Sequence, residues 1–245
     1  MIKLALIWTV CLFLLPVLIL QGIWTRKTAL RLPEASGDSS SGVRCGSHII
    51  GLGDSVIAGV GLNELSDALT AQLALKLSED QSQAVSWSAL GVNGERVQEL
   101  IRRVKLIDAD TPDLILISIG VNDVSHLSSL TRWQLDIATL IGDLKEKFNA
   151  PIVFLGLPPM GEFPALPQPL RFALGIRAAM LDFTFKQAGE LIKDVYWIEI
   201  HRSESNLPMA EDGYHPSALA CASIAEVIVK HITANGFCLP NNNED

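Results

Sequence analysis

The feature that most constrains the fold of this 245-residue chain is a set of five short apolar runs. They span residues 49–52, 85–90, 114–119, 152–157 and 195–200, and segments with the periodicity of helices separate them. Within one such segment, apolar residues recur at positions 133, 137, 140, 141, 144 and 148, the spacing of one helix face. Nearly continuous apolar strands are typical of a parallel sheet covered on both faces. The alternation therefore predicts a three-layer α/β/α domain built on a five-stranded parallel sheet.

Composition limits the classes of partner. Hydrophobic residues make up 49% of the chain and charged residues 19%, so a large core can be buried. The formal net charge is −8, and the body of the chain has no run of lysine or arginine. A partner with a phosphate backbone needs a basic face, so we expect no nucleic-acid binding.

The N-terminal segment is predicted to be a hydrophobic helix that anchors the protein in a membrane. Residues 4–24 carry no charge, and as a helix they would span about 31 Å, the thickness of a bilayer core. Arg26 and Lys27 follow shortly after them. We expect an anchor over residues 1–27, a flexible tether over 28–44 and a catalytic domain over 45–245. The alternative is a cleaved signal peptide.

The cysteines bear on the compartment of the domain. Cys45 precedes the first strand and Cys238 follows the last helix, so both are expected at the same end of the sheet. We predict a disulfide between them, which would require an oxidising compartment. The basic residues after the anchor favour a cytoplasmic domain instead. Of the two sides we favour the extracytoplasmic one.

Residues that follow parallel strands gather at one edge of the sheet, where ligands bind in such folds. Four of these positions hold small or chemically able residues: Gly-Asp-Ser at 53–55, Gly-Val-Asn-Gly at 91–94, Gly-Val-Asn-Asp at 120–123 and Asp-Gly-Tyr-His at 212–215. The predicted sheet therefore concentrates candidate catalytic groups at this edge.

Each of these residue types has a use in ester chemistry. A serine hydroxyl such as that of Ser55 needs a base, which His215 would supply, and Asp212 would orient the imidazole. The negative charge that develops on a substrate carbonyl needs fixed hydrogen-bond donors. We expect these to be the backbone N–H groups of Ser55 and Gly94, both at helix starts, and the Asn122 side chain. Gly91 is the alternative to Gly94.

In order along the chain, these four segments resemble the four blocks of the SGNH (GDSL-type) hydrolases. The resemblance covers the body of the chain, with Val56 in place of the more common leucine after the serine. It implies a flavodoxin-like α/β/α fold and ester hydrolysis. Carried over by position, it implies Ser55 as nucleophile, His215 as base and Asp212 as orienting acid. It also implies an oxyanion hole formed by Ser55, Gly94 and Asn122.

The proline-rich loop over residues 158–170 carries Met160 and Phe163, which we predict to bind substrate. This loop is either a lid or acyl-pocket wall, or an ordinary surface excursion. The other histidines offer no paired ligand spacing, so we expect neither a metal nor a cofactor.

The sequence thus predicts a membrane-tethered serine esterase that acts on small acyl esters, thioesters or lysophospholipids through an acyl-enzyme. The alternatives are a carbohydrate O-acetylesterase and a non-catalytic binding domain with the same fold. In each enzymatic case the partner is a small acyl-ester or lipid substrate.

Overall fold

The computed structural model describes residues 2–41, 46–200 and 208–240, with side chains from residue 14 onward. Its five strands are β1 (Ser47–Gly53), β2 (Val85–Gly91), β3 (Leu114–Ser118), β4 (Ile152–Leu155) and β5 (Val195–Ile198). They form one sheet in the order β2-β1-β3-β4-β5, and every neighbouring pair is parallel. This order is that of flavodoxin-like folds. The predicted fold class is confirmed.

Helices pack on both faces of the sheet. The helices that the structure describes are α1 (Ile2–Thr28), α2 (Leu69–Gln81), α3 (Val97–Leu106), α4 (Val121–Ser125), α5 (Leu130–Phe148), α6 (Leu170–Leu191) and α7 (Ala218–Ala234). One face packs against α2 and α7, and the other packs against α3, α5 and α6. The sheet is therefore the middle layer of three.

Strand β3 shows how the sequence pattern produces two cores. All five of its residues are buried. Ile115 and Ile117 belong to the cluster under α3, α5 and α6, whereas Leu114 and Leu116 belong to the cluster under α2 and α7. Successive side chains on a strand point to opposite faces, so an uninterrupted apolar run supplies both cores at once.

Helix α5 illustrates how local sequence sets the ends of an element. Its N-cap residue, Ser129, accepts a hydrogen bond from the Arg132 backbone N–H through its side chain. Its C-cap residue, Asn149, has a φ of 49°, the left-handed conformation that commonly ends helices. Between these caps, Trp133 packs 5.3 Å from the Phe185 ring on α6. The helix is thus fixed against α6 on the face of the sheet opposite α7.

The end of β1 approaches both of its neighbours closely. Gly53 has a φ of 146°, and a Cβ atom there would lie 1.8 Å from the Ser118 carbonyl oxygen. At the end of β2, a Cβ on Gly91 would lie 2.1 Å from the backbone nitrogen of Ala58. Both positions therefore require glycine. This packing holds the turn after β1, which contains Ser55, against the ends of β2 and β3.

Helix α1 covers the segment that was predicted to be a membrane anchor. Over the residues that the structure describes, no helix combines the length and the apolar character needed to cross a bilayer. The anchor prediction is therefore not supported. The end of α1 contacts the domain, because Gln21 donates to the Gln168 carbonyl over 2.6 Å and accepts from the Leu170 N–H over 3.0 Å.

Residues 29–41, which were predicted to belong to a flexible tether, lie along the domain. The Gly61 N–H donates to the Pro33 carbonyl over 2.9 Å, and the Leu65 N–H donates to the Ser36 carbonyl over 2.8 Å. Further on, the Ala89 N–H donates to the Ser39 carbonyl over 2.7 Å. A serine- and glycine-rich composition favours a free linker, but in this stretch backbone hydrogen bonds attach the chain to the domain. The division into three segments otherwise stays a prediction.

The predicted disulfide is not supported. Cys238 is exposed with a free thiol, and Cys45, its predicted partner, lies outside the described residues. The extracytoplasmic location, which depended on this pair, remains a prediction.

Candidate active site

Two segments that are 160 residues apart in sequence meet at the carboxyl edge of the sheet. Ser55 lies in the turn after β1, and His215 lies in the loop before α7. The His215 Nε2 atom is 2.9 Å from the Ser55 Oγ atom, and its Nδ1 atom is 2.5 Å from Asp212 Oδ2. The structure therefore brings the three predicted residues into one hydrogen-bonded chain.

The surroundings of Asp212 keep it ionised. Burial acts to raise the pKa of this carboxyl, but hydrogen bonds from the Tyr214 N–H and from the ring and backbone of His215 outweigh it. The net result is a pKa below the ordinary value. A carboxylate only accepts hydrogen bonds, so the hydrogen between the two side chains belongs to His215 Nδ1. The lone pair on Nε2 is then available to the Ser55 hydroxyl.

The turn that carries Ser55 is held by its own backbone. The Val60 N–H donates to the Ser55 carbonyl over 3.0 Å, and the Ala58 N–H donates to the Asp54 carbonyl over 3.1 Å. The Asp54 N–H donates to the Ser118 carbonyl over 2.9 Å, which joins the turn to β3. Ser55 thus lies in a turn, and the prediction that it begins a helix is wrong.

Glu95 connects two of the predicted oxyanion donors, Asn122 and Gly94. Asn122 is the second residue of α4, and its amide donates to the Glu95 carbonyl over 3.0 Å. This bond uses one of the two amide hydrogens. Gly94, the residue before Glu95, lies exposed in a turn ahead of α3 with a φ of 82°. It does not begin the helix as predicted. The alternative, Gly91, has a packing role at the end of β2.

A buried ion pair beneath this edge was not found from the sequence. The carboxylate of Glu95 is bound by Arg103, whose Nε and Nη2 atoms lie 2.7 and 2.5 Å from its two oxygens. The same Nη2 is 3.4 Å from the Gly53 carbonyl oxygen. Arg103 therefore connects the turn that carries Gly94 to the strand that leads to Ser55. In the sequence it is preceded by Arg102, which is exposed, and nothing distinguishes the two.

Two further carboxyl groups lie behind the turn. Burial raises the pKa of Asp54 to about 7, and the nearby negative charges of Glu95 and Asp123 add to this effect. Burial also raises the pKa of Asp123. Asp123 accepts hydrogen bonds over 3.0 Å from the Val97 N–H, at the start of α3, and from the Ser128 hydroxyl. Its contacts thus fix the start of α3 rather than reach the serine.

An apolar cavity of about 80 Å³ lies beside the three aligned residues. Its lining includes Asp54 and Val56, on either side of Ser55 in the chain, and Pro216, which follows His215. Phe163 lines it and packs edge-on against the Tyr214 ring, with 5.9 Å between centroids. Met160, the other predicted substrate-binding residue, is buried in the core under α6 and is not part of the lining.

In the described parts of the chain, no group of three or more histidine, cysteine or acidic side chains has the arrangement of a metal site. At this edge, the serine hydroxyl and the imidazole lie within hydrogen-bond distance of each other. A serine, a histidine and a carboxylate aligned at the strand ends of a three-layer α/β/α domain define a serine hydrolase arrangement.

Comparison with known families agrees with this class. Residues 52–221 match the GDSL-like Lipase/Acylhydrolase family. The chain belongs to this family and is a hydrolase of ester bonds. No curated protein matches the chain.

Solved structures share the fold. A lipase/acylhydrolase from Enterococcus faecalis is 20% identical, with a TM-score of 0.60 over 80% of this chain and 98% of that one. A psychrotrophic esterase from a Pseudoalteromonas species is 19% identical, with a TM-score of 0.57 over 77% and 97%. An acetylxylan esterase from Geobacillus stearothermophilus is 17% identical, with a TM-score of 0.54 over 80% and 98%. At these identities the likeness shows the fold alone.

Proposed function

We propose that this protein is a serine esterase that cleaves carboxylic esters or thioesters through an acyl-enzyme on Ser55. The observation that carries the proposal is the hydrogen-bonded chain from Ser55 Oγ through the His215 ring to Asp212. A serine hydroxyl is a weak nucleophile until a base accepts its proton, and this geometry supplies such a base at 2.9 Å.

In the first half of the reaction, His215 Nε2 accepts the Ser55 proton while Oγ bonds to the substrate carbonyl carbon. The imidazolium that forms is stabilised by the Asp212 carboxylate. The tetrahedral intermediate then collapses. The bond from the former carbonyl carbon to the ester oxygen, or to the sulfur of a thioester, breaks. His215 returns the proton to the alcohol or thiol that leaves. The acyl group stays on Ser55.

In the second half, a water molecule takes the place of the departed alcohol or thiol. His215 accepts one of its protons, and the resulting hydroxide attacks the acyl carbon. The bond to Ser55 Oγ breaks, the serine recovers its proton from His215, and a carboxylic acid leaves. Every proton that the imidazole accepts is returned, so the enzyme ends unchanged without a cofactor.

The oxyanion that forms in both halves of the reaction needs hydrogen-bond donors. We assign this role to the Asn122 amide and to the backbone N–H groups of Ser55 and Gly94. The hydrogen bond from Asn122 to the Glu95 carbonyl fixes the amide relative to Gly94 before substrate binds. Such preorganisation is valuable because loss of one donor typically costs about 2.7–4 kcal/mol of transition-state stabilisation.

Turnover of p-nitrophenyl acetate by the full chain tests the proposal. We expect hydrolysis by the native protein and a loss of at least about 10⁴-fold in the Ser55→Ala variant. Ser223→Ala, on helix α7, removes a hydroxyl outside the site and is the matched control. A native protein that folds correctly but hydrolyses no ester would instead support the non-catalytic binding domain.

A further inference from the structure

The cavity beside Ser55 has the composition of an acyl pocket. Its lining contains the chain neighbours of two of the three aligned residues: Asp54 and Val56, on either side of Ser55, and Pro216, after His215. Apart from Asp54, Ser118 and backbone atoms, the remaining walls are apolar. They include Phe163 from the proline-rich loop and Ala220 and Ile224 from α7. An acyl tail that enters this space exchanges water for hydrocarbon contacts.

The volume of the cavity sets a limit on that tail. At about 80 Å³ it is roughly half the size of an engineered 150 Å³ cavity that holds benzene, a six-carbon ligand. The cavity therefore has room for about three carbon atoms. The carbonyl carbon itself is bonded to Ser55 and lies outside. Acetyl, propionyl and butyryl groups fit, whereas an octanoyl tail exceeds the volume more than twofold.

The groove next to the cavity is lined by both apolar and charged residues. The adjoining groove shares Leu157, Pro158, Pro159 and Ile200 with the cavity, and its volume is about 420 Å³. Three carboxylate residues, Glu162, Asp182 and Glu199, line it. A hydrocarbon chain bound against these carboxylates would desolvate them without forming new hydrogen bonds, which costs free energy.

We propose that this cavity is the acyl-binding pocket and that it restricts the enzyme to short acyl groups of about two to four carbons. The inference rests on the proposed esterase function and narrows its substrate class. It disfavours lysophospholipids, whose acyl chains are long, and favours acetyl to butyryl esters. The floor of the pocket is formed by α7, where Ala220 and Ile224 lie one turn apart.

The test is a chain-length profile of the full chain with p-nitrophenyl acetate, butyrate, octanoate and laurate. We expect kcat/KM for octanoate to be at least tenfold below that for butyrate, and laurate to be lower still. A matched pair of variants on α7 then links the limit to the cavity. Ile224→Ala enlarges the cavity, and Ile228→Ala removes the same atoms one turn further along, at a buried position outside the lining.

In the Ile224→Ala variant, the ratio of octanoate to acetate kcat/KM should rise at least fivefold, whereas Ile228→Ala should keep the native ratio. Ala220→Val fills the cavity from the same helix and should lower the butyrate rate more than the acetate rate. Because ratios between substrates are compared, a partly unfolded variant does not change the outcome.

Two failures can be told apart. Equal turnover of laurate and acetate by the native protein, or equal ratios in the two isoleucine variants, would overturn the short-acyl inference and leave the esterase in place. Absence of turnover with every ester, together with an unreactive Ser55 toward fluorophosphonate, would overturn the proposed function and the inference with it.

Discussion

Two aspartates at the same edge of the sheet differ in how the fold treats their charge. Asp212 accepts three hydrogen bonds, from the Tyr214 and His215 N–H groups and the His215 ring, and its pKa lies below the ordinary value. Burial, together with the negative charges of Glu95 and Asp123, raises the pKa of Asp54 to about 7, although its carboxyl accepts a hydrogen bond from the Val56 N–H over 3.3 Å.

The difference shows that depth of burial and the number of hydrogen-bond donors together decide whether a carboxyl stays ionised here. Both side chains are buried, at 7% and 2% exposure. Asp212 has donors aimed at both oxygens, so it can stabilise an imidazolium. Asp54 has two negative neighbours and accepts a long hydrogen bond from the Val56 N–H, so it fits a structural role in the turn next to Ser55.

The largest expected effect contrasts the two aspartates directly. Asp212→Asn removes the carboxylate that fixes the hydrogen on Nδ1, so Nε2 no longer accepts the serine proton, and kcat should fall by about 10⁴-fold. Asp54→Asn keeps the oxygen that accepts the Val56 N–H, and its kcat/KM should stay within about tenfold of the native value. Steady-state hydrolysis of p-nitrophenyl acetate measures both. Equal losses would show that the two carboxyls do not have separate roles.

The next largest effect is expected on stability, from the ion pair between Glu95 and Arg103. Glu95 is one of the two acidic neighbours of Asp54. Arg103→Met leaves the Glu95 carboxylate buried without its partner, so the free energy of unfolding should fall by about 3–5 kcal/mol. Arg102→Met, at the exposed neighbouring position, is the control and should change it by less than about 0.5 kcal/mol. Urea denaturation at pH 7 compares them. If both variants match the native protein, Arg103 does not hold the two segments together.

The smallest effect follows from the pKa of Asp54. Because the folded pKa of about 7 is above the ordinary value of 3.8, ionised Asp54 destabilises the fold at pH 8. This cost declines as pH falls from about 7 and vanishes below about 4, where the group is protonated in both states. Asp54→Asn should therefore exceed the native protein in stability at pH 8, by at most about 4 kcal/mol.

The advantage of Asp54→Asn should shrink steadily between pH 7 and pH 4. Denaturant midpoints across that range, with Asp108→Asn on the exposed surface as the control, measure it. A stability difference that does not change with pH would mean that Asp54 is ionised in the folded state throughout the range.

The sequence predicted the fold and the three aligned residues because both follow from rules that act along the chain. Apolar runs define the strands, and the carboxyl ends of parallel strands share one edge, so Ser55 and His215 were expected to meet there. The turn around Gly94 was less predictable, since a glycine next to a helix fits either a helix start or a preceding turn. The position of Met160 was also hard to predict, because an apolar loop residue fits a pocket wall as well as the core in which it lies.

The Glu95–Arg103 pair and the course of residues 29–41 could not be predicted for a different reason. An arginine on an amphipathic helix is usually solvated, and only the tertiary structure shows that Arg103 is directed at a buried carboxylate. The N-terminal stretch contributes mainly backbone hydrogen bonds, such as that between Gly61 and Pro33, and these leave no pattern in the side chains.

The central claim is that His215 activates Ser55, and the most direct measurement is labelling by a fluorophosphonate followed by peptide mapping with mass spectrometry. The account predicts one adduct, on Ser55, in the native protein and none in Ser55→Ala. It also predicts much slower labelling in Asp212→Asn. An adduct on another serine, or no adduct on a correctly folded native protein, would contradict it.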